Sequence, residues 1–193
     1  MIFRCDLRAQ YREYAAEIDA AIGNVMKSGR YTLADEVSAF ESEFSNYLEC
    51  KYVVGVANAT DGLMLAMKAF EIGAGDEVIT TPFTAIPTVS AIIATGAKPV
   101  FVDIDANTFL IDIEQVPRFI SPKTKAIIPV HIFGNVVDIE RLRKLVPGHI
   151  PIIEDAAQAH GSTIRGKKAG TMGHAGVFSF YPTKNLGGYG DGG

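Results

Sequence analysis

The stretch EVITTPFTAIPTVSAIIATGAKPVFVD, residues 77–103, decides the fold of this chain. Its runs 77–80 and 99–103 have the length and the apolar character of strands, and a helix is predicted between them over 84–95. Short continuous apolar runs separated by a helix are typical of strands that are buried on both faces of a parallel sheet. The stretch therefore predicts a strand–helix–strand unit of an α/β domain.

The same alternation continues on both sides of this unit. Four further runs are predicted as strands, over 52–57, 126–130, 151–155 and 176–180, and two further segments as helices, over 60–72 and 139–145. The predicted sheet is mostly parallel and lies between helices. Ligands bind such sheets at the carboxyl ends of the strands, so polar residues at those ends are the candidates for a functional site.

The first 48 residues follow a different pattern. Apolar residues at helical spacing predict one helix over 11–28, which Gly29 ends, and a second helix over 35–48. We therefore divide the chain into an N-terminal helical segment, residues 1–48, and an α/β domain, residues 49–193.

Composition excludes several classes of protein. The 193 residues are 48% hydrophobic and 21% charged, as in an ordinary globular protein, and the net charge of −4 argues against nucleic acid or an anionic membrane as a partner. The two cysteines do not make a disulfide framework, which favours a reducing compartment. The N-terminus lacks the apolar core of a signal peptide, and no apolar run is long enough to span a membrane. These features predict a cytoplasmic protein.

Three motif matches carry little weight. Residues 188–193 satisfy the GxGxxG expression of dinucleotide sites, but no helix follows them in this sequence. Residues 103–114 place acidic side chains at several positions of a calcium loop, but Thr108 stands where the sharp turn needs glycine. The four histidines have no ligand spacing with one another or with the cysteines. We expect no metal site.

Lys184 is the first candidate for a functional residue. Taken alone, a lysine in a loop is most often a solvated surface charge. Here an apolar run precedes it, and five of the seven residues from 187 to 193 are glycine, which indicates a crowded place where the backbone approaches a ligand. A desolvated lysine loses proton affinity and attacks carbonyl groups.

Other polar groups lie at strand ends. Ala59, Thr60 and Asp61 follow a predicted strand at the start of a predicted helix, where free backbone N–H groups attract an anion such as phosphate; a simple N-cap that needs no ligand explains the same residues equally well. Ser179 is a second phosphate donor five residues before Lys184.

A carboxyl group ends another predicted strand. Asp155 follows an apolar run, so its charge is expected to face a cation. Gln158, one helical turn later, is placed to reach the same ligand. Glu154 should point to the opposite face of the strand and serve the structure.

These groups suit one cofactor. Pyridoxal 5′-phosphate (PLP) needs an amine for its aldehyde, an anion site for its phosphate, and a carboxylate to keep its ring nitrogen protonated. Lys184, the 59–60 turn together with Ser179, and Asp155 provide these three functions.

The sequence also resembles a known family, the DegT/DnrJ/EryC1/StrS sugar aminotransferases of the fold-type I PLP enzymes. The resemblance spans nearly the whole chain through segments 6–11, 57–63, 75–79, 96–104, 129–134, 153–161 and 178–184. It implies a large domain on a seven-stranded, mostly parallel sheet, and a homodimer with active sites at the subunit interface. It further implies the following site residues: Lys184 as the covalent anchor and general acid–base, Asp155 for the ring nitrogen, Gln158 beside the ring, and Ala59, Thr60 and Ser179 for the phosphate.

The activity that the resemblance implies is transamination. An amino acid, glutamate by expectation, gives its amino group to the cofactor, and a nucleotide-linked keto-sugar receives it, in amino-sugar, polysaccharide or antibiotic biosynthesis. Relatives that dehydrate sugars have histidine in place of the lysine, so Lys184 favours transamination.

The chain departs from the family pattern in two respects. The family usually carries an aromatic residue at the position of Ala85, where a ring stacks on the cofactor; either Phe83 substitutes for it or the cofactor face is more open. Family members are also longer, which implies that 49–193 is an incomplete large domain without the small C-terminal domain. Two alternatives therefore stay open, a non-catalytic PLP-binding or regulatory homologue and a truncated, inactive fragment.

Overall fold

A computed structural model describes residues 5–193, and the chain divides into two compact units between Gly55 and Val56. The first unit contains the helices α1 (Leu7–Ser28) and α2 (Asp35–Leu48). Asp6 begins α1 by accepting hydrogen bonds from two backbone N–H groups, and Gly29 ends it with a φ of 68°. Both predicted N-terminal helices are therefore confirmed, with α2 at the predicted bounds.

The second unit is built on a parallel sheet of five strands. β1 (Glu77–Thr80) lies between β2 (Lys98–Phe101) and β3 (Thr124–Ile127), and β4 (Ile153–Asp155) pairs with β7 (Ala175–Val177). Single parallel pairs, Ile127 with Ile152 and Val130 with Asp155, join β3 to β4. The strand order is therefore β2-β1-β3-β4-β7.

The remaining elements connect these strands. Three α-helices, two 3₁₀ helices and one antiparallel hairpin complete the described chain: α3 (Ala59–Ala69), α4 (Ile86–Ala94), α5 (Ile139–Leu145), Val116–Phe119, Ile132–Gly134, and the hairpin of β5 (Thr163–Ile164) with β6 (Lys167–Lys168). At Gly62 in α3, an added Cβ would lie 2.8 Å from Val177 Cγ1, so the helix packs closely on β7 only with glycine there.

Two apolar cores cover the two faces of the sheet. Val78 faces the core that includes Leu63 and Met67 of α3, and its neighbour Ile79 faces the core that includes Ile139 and Leu142 of α5. Successive residues of a strand point to opposite faces, so a strand buried on both sides reads as a continuous apolar run. This arrangement explains why the pattern in 77–103 predicted the fold.

Most predicted elements are confirmed, three of them at the predicted bounds, and the α/β class with a parallel sheet is confirmed as well. The predicted strand over 52–57 is wrong. Tyr52 and Val54 are 75% and 73% exposed, and only Val56 has a backbone partner, exchanging two hydrogen bonds with Gly193. An apolar run becomes a strand only beside a neighbour of matching length, and within residues 5–193 no strand runs along this segment.

Two further comparisons with the expectations concern size. The parallel sheet has five strands within the described chain, where the resemblance implies seven. The assignment of 1–48 and 49–193 to a helical segment and an incomplete large domain stays a prediction.

Within residues 5–193, no helix combines the length and the apolar character needed to cross a membrane.

Candidate active site

A cavity of about 260 Å³ opens in the second unit at the carboxyl ends of the strands. Its walls come from segments that follow β1, β3, β4 and β7, together with the first turn of α3. All six residues predicted to bind a cofactor line it: Ala59, Thr60, Asp155, Gln158, Ser179 and Lys184. The sheet thus brings together residues that are far apart in the sequence, at the edge where parallel sheets bind ligands.

The first turn of α3 forms one end of the cavity. Asn58 caps the helix, its side-chain oxygen accepting a hydrogen bond of 2.9 Å from the N–H of Asp61. The N–H groups of Ala59 and Thr60 precede the first complete turn and have no acceptor within the helix. They remain available to an anion at the positive end of the helix dipole, so the cap and the anion site coexist.

Asp155 is the buried acid of the cavity, with 5% of its surface exposed. Its Oδ2 accepts a hydrogen bond of 2.7 Å from the Thr88 hydroxyl, and its Oδ1 accepts one of 3.2 Å from the N–H of Ala157. Burial raises the pKa of this carboxyl group, whereas both hydrogen bonds and the positive charge of Lys184 act to lower it. A cation in the cavity would stabilise the ionised form further.

Glu154 points to the opposite face of β4, as predicted, and is fully buried there. Its two oxygens accept hydrogen bonds from His131 Nε2 at 2.8 Å and from the N–H groups of Gly170, Met172 and Gly173. Because His131 Nδ1 accepts from the N–H of Val137, the proton of this ring lies on Nε2 and the ring is neutral. This closed network joins three loops and serves the structure.

Lys184 lies in a loop that is closed at its base. The N–H of Phe180 donates to the carbonyl of Gly192, and the N–H of Gly188 donates to the carbonyl of Phe180, each at 2.8 Å. Within the described chain, no carboxylate lies within 4 Å of the Lys184 ammonium group. Gly193 then packs against the Asn58–Ala59 backbone so closely that an added Cβ would lie 2.5 Å from the carbonyl carbon of Asn58. The loop therefore forms part of the cavity wall next to the first turn of α3.

Two further residues shape the cavity. Gln158 is oriented by a hydrogen bond of 2.9 Å from the N–H of Phe133 to its Oε1. Ala85 lines the cavity, whereas Phe83 is not among the lining residues and its ring instead lies 5.6 Å from that of Phe109 and 6.1 Å from that of Phe133. The cofactor-stacking role of Phe83 or Ala85 stays a prediction, and the geometry favours the more open face at Ala85.

His160 packs behind the lysine loop. Its ring lies 5.4 Å from that of Phe178 and 5.5 Å from that of Phe180, and both ring nitrogens are buried without a hydrogen-bond partner among the described residues. Burial, followed by the charge of Lys184, lowers the pKa of His160. The imidazole therefore acts as a neutral ring that fills the space between two phenylalanines.

The weaker motif matches have structural explanations. Asp105 of the calcium-like segment uses Oδ1 to accept from the N–H groups of Asn107 and Thr108 and from the Thr108 hydroxyl, which closes a turn. Among residues 5–193, no group of three or more histidine, cysteine or acidic side chains is placed to hold a metal ion.

Sequence reasoning missed Thr84 and Thr88, which also line the cavity. Their hydroxyls are 2.8 Å apart, and Thr88 is hydrogen-bonded to Asp155. The local signal was weak, because Thr84 precedes the N-cap of α4 and only Thr88 lies in its first turn. The partner, Asp155, is 67 residues away, and only the tertiary structure reveals it.

Comparison with known proteins agrees with this geometry. The model of the DegT/DnrJ/EryC1/StrS aminotransferase family matches residues 12–193. The chain belongs to this family. It is 47% identical over 189 residues to a pleiotropic regulatory protein of Geobacillus stearothermophilus, covering 97% of this chain and 51% of the relative. It is also 47% identical to the dTDP-3-amino-3,4,6-trideoxy-α-D-glucose transaminase of Streptomyces venezuelae, covering 97% of this chain and 50% of the relative.

Solved structures show the same fold. DesV of S. venezuelae, crystallised in complex with a ketimine intermediate, matches with a TM-score of 0.92 at 46% identity, over 97% of this chain and 51% of that one. NtdA of Bacillus subtilis, solved with its cofactor PMP bound, matches with a TM-score of 0.86 at 33% identity, over 93% and 41%. The chain thus spans about half the length of the relatives that it matches.

Proposed function

We propose that this chain carries the cofactor site of a PLP-dependent aminotransferase, which moves an amino group from an amino acid, L-glutamate by expectation, to a nucleotide-linked keto-sugar in amino-sugar biosynthesis. One observation carries the proposal: an amine, a buried carboxyl group and an anion-binding helix N-terminus line a single cavity. Membership of the family and relatives named as sugar transaminases support it.

The residues present fit this cofactor. Asp155 is buried and has hydrogen-bond donors on both oxygens but no cation within 4 Å among the described residues, so it suits a protonated ring nitrogen. The N–H groups of Ala59 and Thr60, with the Ser179 hydroxyl, suit a phosphate group. When bound, PLP supplies an aldehyde that links covalently to amines and a ring that withdraws electrons.

The chain's own residues then have distinct functions. Lys184 would provide the amine that anchors the cofactor, and its Nζ is the group in the cavity that could accept and return a proton. Asp155 holds the ring nitrogen protonated, and Gln158 forms part of the wall beside it. The helix N-terminus and Ser179 would hold the phosphate group and thereby orient the cofactor in the cavity.

Borohydride trapping tests this proposal. We expect that PLP added to the protein gives a visible absorbance band that shifts with glutamate, and that reduction attaches the cofactor to Lys184, as located by peptide mapping. Lys184→Ala should abolish both the band and the labelling, whereas Lys144→Ala, which removes an exposed lysine of α5, should leave them unchanged. Equal labelling in the Lys184→Ala protein would show that the proposal is wrong.

The relative named as a regulatory protein favours a second candidate, a PLP-binding protein without transaminase activity. The same experiment separates the two. Labelling of Lys184 without any glutamate-dependent shift of the absorbance band is the outcome expected for the second candidate.

We also propose a homodimer in the cytoplasm, as the family resemblance and the composition suggest. Sedimentation of the purified protein tests the oligomeric state.

A further inference from the structure

Two hydroxyl groups, one just before α4 and one in its first turn, lie behind the acid of the cavity. Thr88 is 1% exposed and its hydroxyl donates to Asp155 Oδ2 at 2.7 Å. The hydroxyl of Thr84, which is half-buried, lies 2.8 Å from that of Thr88. Both threonines line the cavity, and the three side chains form a continuous line of hydrogen bonds that ends on the carboxyl group.

The direction of this line follows from the number of hydrogens. A hydroxyl group has one hydrogen to donate, and an ionised carboxylate has none. While Asp155 is ionised, the Thr88 hydroxyl must therefore donate its hydrogen to Asp155. Thr84 must then be the donor in its hydrogen bond with Thr88. A hydroxyl that accepts one hydrogen bond becomes a stronger donor in the next, so Thr84 strengthens the bond from Thr88 to Asp155.

We propose that Thr84 and Thr88 form a hydroxyl relay that positions Asp155 and keeps it ionised, so that it receives the protonated ring nitrogen of the cofactor. Thr88 is a positioning residue that acts through Asp155. This inference rests on the proposed function only for the identity of the cation, since the relay itself acts on Asp155 in the protein alone.

Burial and hydrogen bonding shift the pKa of Asp155 in opposite directions, and the relay opposes the effect of burial. Burial works against the charge of this carboxyl group, and it is the largest of the factors that change its pKa. Thr88 is the strongest of the influences that oppose burial, ahead of the N–H of Ala157 and the charge of Lys184.

The direct test is a titration of the Asp155 carboxyl group by ¹³C NMR in protein without cofactor. Thr88→Val keeps the branched shape but removes the donor, so the pKa of Asp155 should rise clearly above that of the wild type. Thr88→Ser keeps the hydroxyl and should restore the wild-type titration. Thr84→Val removes only the polarising neighbour and should raise the pKa by a smaller amount.

Cofactor binding gives an independent measurement. At neutral pH, Thr88→Val should bind PLP about tenfold more weakly or worse, because a hydrogen bond to a charged group is lost, and the deficit should grow as the pH falls. Thr88→Ser should bind PLP about as well as the wild type.

Two results would overturn the relay. One is an Asp155 titration that is the same in Thr88→Val as in the wild type; the other is a Thr88→Ser protein as impaired as Thr88→Val, which would indicate a packing role. If Thr88→Val does not fold, Thr84→Val decides, and an unchanged Asp155 titration in that variant refutes the relay. If the titrations shift as expected but no variant binds PLP, the relay stands and the proposed function fails.

Discussion

Glu154 and Asp155 are adjacent carboxyl groups on opposite faces of β4, and both are buried. Glu154 accepts four hydrogen bonds from the protein, two on each oxygen, so the protein alone satisfies this carboxyl group. Asp155 has two protein donors and opens into the cavity. Alternation along one strand therefore separates a carboxyl group enclosed by the fold from one that faces the cavity, where we propose that a ligand binds.

Glu154→Gln should have the largest effect on stability. The amide keeps the shape but offers one accepting oxygen in place of two, and its NH₂ group then faces N–H donors of the loops and of His131. We expect the free energy of unfolding in urea to fall by about 3–5 kcal/mol, as when one partner of a buried charged network is removed. A loss below about 1 kcal/mol would contradict the structural role of this face.

Asp155→Asn should instead weaken cofactor binding strongly and change stability little. Cofactor affinity should fall by at least about tenfold, because the amide oxygen can still accept a hydrogen bond but has no negative charge to stabilise a protonated ring nitrogen. The free energy of unfolding should change by only about 1 kcal/mol, because a carboxyl group that is costly to bury in its charged form is replaced by a neutral group of the same shape. A large loss of stability would remove the contrast between the two faces.

The pH dependence of this variant has a definite sign. The folded-state pKa of Asp155 is raised by burial above that of the unfolded chain, so the native protein holds this proton at higher pH. The contribution of Asp155 to stability is fully present below the unfolded pKa and is lost as the pH rises through the folded pKa. Unfolding curves at several pH values should therefore show the wild type losing stability relative to Asp155→Asn across that window.

Arg165→Ala should have the smallest effect and extends the comparison to a carboxyl group near solvent. Asp138 caps α5 and accepts a hydrogen bond of 2.6 Å from Arg165, which lowers the pKa of Asp138. The Arg165 side chain is 64% exposed, so its removal should cost at most about 1 kcal/mol. That cost should diminish in high salt, because the exposed pair is screened; a salt-independent loss would indicate a packing contribution of Arg165.

The sequence was informative wherever burial acts on both faces of a strand. The run 77–80, whose central residues Val78 and Ile79 face the two cores, was predicted at the observed bounds, and four other strands were predicted with shifted ends. The segment 52–57 has the same apolar character, but within the described residues it has no strand beside it, and pairing is a property of the tertiary structure.

The residues of the candidate site also differ in whether local sequence signals or only the tertiary structure reveals them. Lys184, Asp155 and the 59–60 turn were identified because charge after an apolar run, glycine clusters and helix starts are local signals. The Thr88–Asp155 hydrogen bond and the network around Glu154 join residues far apart in sequence, and no local pattern specifies which donor meets which acceptor.

The backbone bonds at the base of the lysine loop have a consequence for motion. The N–H groups of Phe180, Gly188 and Gly193 are held by acceptors within the loop base and beside α3, and at the tip the N–H of Lys184 donates to the carbonyl of Tyr181 at 2.8 Å. Opening the loop must break these bonds together, so their amide hydrogens should exchange with solvent at one common, slow rate. The backbone thus stays in place on the timescale of that exchange, which leaves rotation of its side chain as the faster motion open to Lys184.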